Sequence, residues 1–318
     1  MANVLVTGAA GFIGSHLCEA LLNQGHKVLG VDSFSDYYDP KVKHANLAAV
    51  KNHLKAAQFR FLQGDLLQME LAEIFKDQQI VFHLAGEPGV RKSWGKDFSF
   101  YLDRNIALTQ RLLEACKGAG IARFVFASSS SVYGNRGQST LHENDACRPF
   151  SPYGVSKLAA ENLCMLYHDN FGVPAVALRY FTVFGPRQRP DMGFHKFIRN
   201  VLADQSIEIF GDGEQSRDFT FVSDAVAGTI AAGFAPTTSG KVYNIGGGCM
   251  ATVNEVLSLL GKIMPEKKIN ILHREESHGD VRHTRADILA ARQDFGFSPM
   301  VSLQEGLTRE ISWLKENA

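Results

Sequence analysis

Through the first half of the chain, short apolar runs alternate with longer stretches whose apolar residues recur at helical spacing. The runs are Val4 to Thr7, Lys27 to Val31, Phe59 to Leu62, Ile80 to Leu84, Arg123 to Ala127 and Ala175 to Leu178, and each reads as a strand. Between them, Ser15 to Asn23, Leu102 to Lys117 and Tyr153 to Tyr167 read as helices. Strands alternating with helices predict an α/β doubly wound fold with a parallel sheet covered on both faces. Past about Gly185 the pattern loosens, with Gly185-Pro186, Gly211-Asp212-Gly213 and Gly246-Gly247-Gly248 punctuating shorter elements. The pattern therefore predicts a larger domain over 1–181 and a smaller C-terminal α/β domain over 182–318. No Pro/Ser linker or charge block separates them, so chain crossings back to the first domain are expected around 217–246.

Composition narrows the class. Of 318 residues, 45% are hydrophobic and 21% charged, which fits a folded soluble protein and excludes a disordered or collagen-like chain. Lys+Arg and Asp+Glu balance at 33 each, so no whole-chain field exists to hold nucleic acid or an anionic membrane, and any anion must be bound locally. Cys18, Cys116, Cys147, Cys164 and Cys249 are scattered with no C-x-x-C pair, which predicts neither a metal site nor a disulfide framework and fits a reducing cytoplasm. No basic leader or apolar span is visible, so neither export nor membrane insertion is expected.

Candidate chemistry begins at the first strand end. Gly8, Gly11 and Gly14 follow a strand and open a helix. Gly8 would permit the tight turn, Gly11 would let backbone N–H groups approach a pyrophosphate, and Gly14 would let the helix pack closely. About 20 residues on, Asp32 ends the second strand, where a carboxylate accepts from ribose hydroxyls and repels a 2′-phosphate, favouring NAD over NADP. A turn or cap role for Asp32 is the alternative. Asp65 either reaches the adenine edge or simply closes a turn. The candidate cofactor set also includes Phe12, Ile13, Leu66, Leu84 and Ala85. Tyr153 and Lys157, one helical turn apart, pair a phenol with an ammonium that would favour its phenolate, so that Tyr153 could take a hydroxyl proton. The run Ser128-Ser129-Ser130-Ser131 ends a strand at the ligand-binding edge of the sheet, or is a plain polar loop.

Gly8/Gly11/Gly14, the Ser-Ser-Val-Tyr-Gly strand end, Tyr153/Lys157, Arg179-Tyr180-Phe181 and Arg217-Asp218-Phe219 resemble the extended short-chain dehydrogenases/reductases that act on nucleotide sugars. The resemblance covers nearly the whole chain. It implies an NAD-binding Rossmann domain followed by a UDP-sugar-binding domain, with Ser129 as hydroxyl partner of Tyr153 and Lys157 on the nicotinamide ribose. It further implies that Arg217 clamps the diphosphate, that Asp280 accepts the uridine ribose hydroxyls, and that the helices from Leu102 and Tyr153 pair two copies into a homodimer. The family's 4,6-dehydratases carry Asp-Glu before Val-Tyr-Gly and its decarboxylases a Glu, where this chain has Ser130 and Ser131. Without those carboxylates a 4-keto intermediate can only take its hydride back, which points to 4-epimerisation.

Pro88 to Phe98 and Arg179 to Met192 look most like UDP-glucuronic acid 4-epimerases. Ser129, Ser130, Ser131, Thr182 and Arg189 would supply donors to a C5 carboxylate, although Arg187 and Arg189 could equally belong to a solvated loop. Thr284 stands where relatives that exclude N-acetyl sugars carry a Tyr, so UDP-N-acetylglucosamine, or its uronic acid, is the alternative substrate. Two departures stand out. Glu87 is an acid where relatives carry a small or apolar residue, and Ser277 occupies the place of a second diphosphate-binding Arg, for which Arg274 or Arg282 could substitute. His83 reads as a packing residue.

Overall fold

The apolar runs form strands in the computed structural model of the chain, which describes residues 1–275 and 279–317. In order come β1 (Asn3–Thr7), α1 (Phe12–Asn23), β2 (Lys27–Asp32), α2 (Pro40–Lys51), β3 (Phe59–Gln63), α3 (Leu71–Phe75) and β4 (Ile80–His83). Next are α4 (Phe98–Tyr101), α5 (Leu108–Cys116), β5 (Arg123–Ser129), α6 (Pro152–Phe171) and β6 (Ala175–Tyr180). The rest of the chain adds β7 (Thr182–Phe184), α7 (Gly193–Leu202), β8 (Ile207–Phe210), β9 (Ser216–Phe221), α8 (Val222–Phe234) and β10 (Lys241–Ile245). It closes with β11 (Met250–Thr252), α9 (Val253–Ile263), β12 (Ile271–Arg274), α10 (Leu289–Phe295) and α11 (Leu303–Glu316).

Seven strands form one parallel sheet in the order β10-β6-β5-β4-β1-β2-β3. Side chains alternate between its faces, as the strand period demands. Val4 and Val6 join the core under α1 and α8, whereas Leu5 joins the core under α5 and α6. The chain reverses its direction of winding between β1 and β4, and the crevice beyond the carboxyl ends of those strands is where ligands bind in such sheets. Register brings Thr7 opposite both Val31 and His83, so the turns after β1, β2 and β4 open on the same edge. A sheet of β11-β9-β7 and the pair β12-β8 flank that edge.

Three features depart from the sequence reading. α2 was not anticipated, because two of its four buried positions, Lys43 and Asn46, are polar and leave too thin an apolar stripe. The predicted helix at Leu102 starts earlier, at Phe98, and passes through a π-helical turn over Leu102–Ala107. That turn presents Asn105, which accepts from Glu87 N at 2.7 Å and donates to Glu87 O at 3.0 Å and Ser156 Oγ at 2.9 Å, fastening the loop after β4 to α6. α1 likewise begins at Phe12, three residues before the apolar period shows it. Beyond 182, β10 lies beside β6 in the main sheet and α8 packs on α1. No helix of the described residues is long and apolar enough to cross a membrane, and the five cysteines are unpaired.

Candidate active site

Turn geometry at the end of β1 explains each glycine. Gly8 has φ +72°, and a Cβ there would sit 2.9 Å from Ala85 N on the neighbouring strand end. A Cβ on Gly14 would lie 2.0 Å from Gly8 O, so only glycine lets α1 pack this close to the turn it follows. Gly11 caps α1 without a side-chain bond, and the first turn carries no acid. The helix therefore presents unbonded N–H groups and its positive end to the crevice, an arrangement that fits a pyrophosphate. Phe12, Ile13, Leu66, Leu84 and Ala85 line the same cleft.

Asp32 is buried, and its carboxylate accepts from Ala10 N at 3.1 Å and Phe34 N at 2.8 Å. It thus serves the turn and also lines the cleft. Asp65 likewise closes a turn, its Oδ1 accepting from Leu67 N at 2.9 Å, and lines the cleft. A glycine cradle, a bare helix N-terminus and a carboxylate in the same cleft together fit NAD.

Across the switch point, α6 begins at Pro152 behind Ser151, whose Oγ accepts from Gly154 N at 3.1 Å. This cap puts Tyr153 and Lys157 on the cleft side, against the serine run. Lys157 Nζ donates to Ala127 O at 2.8 Å, and burial pulls its pKa down to about 8. Burial pushes the Tyr153 phenol above its usual range, while a hydrogen bond from Ser129 and the charge of Arg189 pull it back. The groups favouring its phenolate are therefore Ser129 and Arg189, with the Lys157 ammonium turned toward the β5 carbonyl. The ring of Tyr101 meets that of Tyr153 edge-on, with centroids 6.2 Å apart.

Ser129, Ser130, Ser131, Thr182 and Arg189 line the same cleft as Tyr153. The Arg189 guanidinium is held by Asp191 through Nε and Nη2, both at 2.9 Å, which leaves Nη1 for a ligand. Glu87 also lines the cleft, but Arg104 pairs with it at 2.8 Å, so this acid brings no unbalanced charge.

Arg217 and Asp280 are not among the residues lining that cleft and cluster instead with Arg91. Asp280 receives Arg91 Nη2 at 2.7 Å, and the Arg91 guanidinium stacks 4.1 Å over Phe210. Burial lowers the pKa of Arg217, partly offset by Asp280 nearby. Ser277 lies outside the described residues. Arg274 and Arg282 are paired with Glu208 and Asp212, each at 2.5 Å. Thr284 is buried, its hydroxyl taking Asp218 N–H at 3.4 Å, and it is not among the residues lining the cleft.

His83 packs between Thr7 and Thr109, at 2.8 and 3.1 Å, and burial drives its pKa down to about 3, keeping it neutral. Arg91, Arg104, Asn105 and Lys43 escaped the sequence reading. None sits in a compact motif, and only the Pro88 to Phe98 stretch pointed toward Arg91.

A model of the NAD dependent epimerase/dehydratase family matches residues 4–246. An uncharacterized UDP-glucose epimerase of Bacillus subtilis is 47% identical, over 98% of this chain and 97% of that one. A UDP-glucuronate 4-epimerase of Thermodesulfobacterium geofontis is 38% identical, over 100% of this chain and 97% of that one. The crystal structure of UDP-glucuronic acid 4-epimerase from Bacillus cereus in complex with UDP-glucuronic acid and NAD superposes with a TM-score of 0.95 at 44% identity, covering 99% of this chain and 100% of that one.

Proposed function

The chain belongs to the NAD dependent epimerase/dehydratase family, and from that premise we propose that it converts UDP-glucuronic acid to UDP-galacturonic acid through transient oxidation at C4. The observation that carries the substrate is the sugar end of the cleft. Ser130, Ser131, Thr182 and Arg189 line it with hydroxyls and a guanidinium, and the neighbouring acid, Glu87, is neutralised by Arg104. Such a wall suits a carboxylate. It also lacks the acid and base at positions 130 and 131 that water elimination needs.

Bound in this cleft, NAD would supply a reversible hydride acceptor. Tyr153 takes the O4 proton, and Ser129 hydrogen-bonds the same oxygen as it becomes a carbonyl. Lys157 holds the nicotinamide ribose, while Arg217 and Asp280 hold the diphosphate and the uridine ribose. With the nucleotide anchored there, the 4-keto sugar rotates about its phosphate linkage and accepts hydride on its other face. Donors on the C5 carboxylate oppose loss of CO2 from the 4-keto acid, which is β to it. On this reading residues 1–181 carry NAD and 182–318 the UDP-sugar, with the chain crossing back around 217–246. The enzyme works as a cytoplasmic homodimer, consistent with its unpaired cysteines and with exposed Val155, Leu166 and Phe171 along α6.

The substrate is tested by incubating the protein separately with UDP-glucuronic acid, UDP-glucose and UDP-N-acetylglucosamine and following H4 by proton NMR. Turnover of the acid supports the proposal, and turnover of the acetamido sugar alone refutes it. Arg189→Met is expected to raise KM for the acid by about tenfold or more, the scale of one hydrogen bond to a charged group, with a smaller change for UDP-glucose. Equal losses for both sugars would remove Arg189 from the carboxylate pocket.

A pH prediction follows from the forces on Tyr153. As a base it must be deprotonated, so kcat/KM rises with pH through its pKa. Ser129 lowers that pKa. Ser129→Ala is therefore expected to move the rising limb to higher pH as well as to slow turnover, measured as a kcat/KM profile. A slower enzyme with an unmoved limb would separate Ser129 from the phenol.

A further inference from the structure

Beside the carboxylate that faces the adenosine ribose lies a cation for which the proposed reaction has no use. The Lys43 side chain, on α2, is 9% exposed, and its Nζ lies 3.5 Å from Asp32 Oδ1. The same ammonium donates to Ser35 Oγ at 3.0 Å and sits 5.4 Å from the centre of the Tyr38 ring. Asp32, Ser33, Ser35, Tyr38 and Lys43 all line the cleft. Asn46 donates to Ala10 O at 3.1 Å, which fastens α2 to the glycine-rich turn and fixes the ammonium relative to it.

Among the described residues, Asp32 is the only carboxylate paired with Lys43. A buried ammonium of this kind is tolerable only with its counter-charge. A ribose 2′-hydroxyl can donate to Asp32, whereas a 2′-phosphate meets a like charge first. Without the carboxylate, the same corner holds an uncompensated ammonium and two serine hydroxyls, a donor set suited to phosphate.

We propose that Lys43 makes the ribose subsite a latent 2′-phosphate site which Asp32 alone holds shut, so that the choice of NAD over NADP rests on this charge pair. The proposal depends on the NAD reading of the cleft. It is tested by calorimetric titration of nucleotide-free protein with NAD and with NADP. The wild type is expected to bind NAD more tightly. Asp32→Ser is expected to raise the NADP-to-NAD affinity ratio by about 100-fold or more, and adding Lys43→Met to take back about tenfold or more of the NADP affinity with little change for NAD. Asp32→Asn keeps the side-chain size and one acceptor oxygen, for either Ala10 N or Phe34 N, and replaces the serine variant if that one does not fold. A gain of NADP binding that is the same with and without Lys43, or no gain in a folded variant that still binds NAD, overturns the proposal. A wild type that binds neither nucleotide overturns the NAD reading instead.

Discussion

Tyr153→Phe is expected to lower kcat by about 10²–10⁴-fold, the contribution of one positioned proton-transfer group, with the affinities for NAD and UDP-sugar nearly unchanged. The substitution deletes one hydroxyl and nothing else. The phenyl ring keeps its edge-on contact with Tyr101, and the Ser151 cap of α6 is untouched, so the loss falls on chemistry rather than on folding. The steady-state rate by NMR and the affinity by calorimetry separate the two. A variant that turns over within a few-fold of wild type would mean that another group takes the O4 proton, and a wild type without any turnover would make the chain an NAD-binding protein only.

Arg179→Met carries the largest expected effect on stability. Arg179 and Glu161 are buried with side chains 5% and 3% exposed, joined at 2.6 Å through Nη2 and at 3.1 to 3.2 Å through Nε. Glu161 also accepts from Ser128 Oγ at 2.6 Å, at the start of the serine run, and the guanidinium stacks 4.6 Å over Tyr133. Removing the cation strands a buried carboxylate, which costs about 3–5 kcal/mol. Against a typical total stability of about 5–15 kcal/mol, this lowers the urea midpoint sharply. The double variant Arg179→Met/Glu161→Leu is expected to recover most of the loss, because an apolar pair of similar volume is close to neutral in place of a buried ion pair. An unchanged midpoint in the single variant would show that the pair does not brace the end of β5.

The residues that meet in the candidate site were legible because their signals are local. The turn at Gly8 to Gly14, Asp32 at a strand end, and Tyr153 with Lys157 each combine a backbone demand and a chemical one within a few residues. What stayed hidden is non-local or lacks an apolar period. α2 buries Lys43 and Asn46 beside Leu47 and Val50, so its apolar stripe is too thin to mark a helix. A crossing back was expected around 217–246, but that it ends in β10 beside β6, after α8 packs on α1, is a matter of topology that no local pattern specifies. Glu87 looked like an unwelcome acid, and its neutralising partner, Arg104, sits on a π-helical turn that shifts the facing residues out of an ordinary helical register. Arg91 meets Asp280 across most of the chain's length, a pairing no spacing rule anticipates.

The central claim, oxidation and return of hydride at one carbon, is tested most directly with UDP-glucuronic acid deuterated at C4, turned over in ordinary water without added cofactor. The account predicts UDP-galacturonic acid with the deuterium still on C4, because the label leaves and returns within one closed site. Product that has lost the label to solvent, or release of CO2 in place of the epimer, would contradict it.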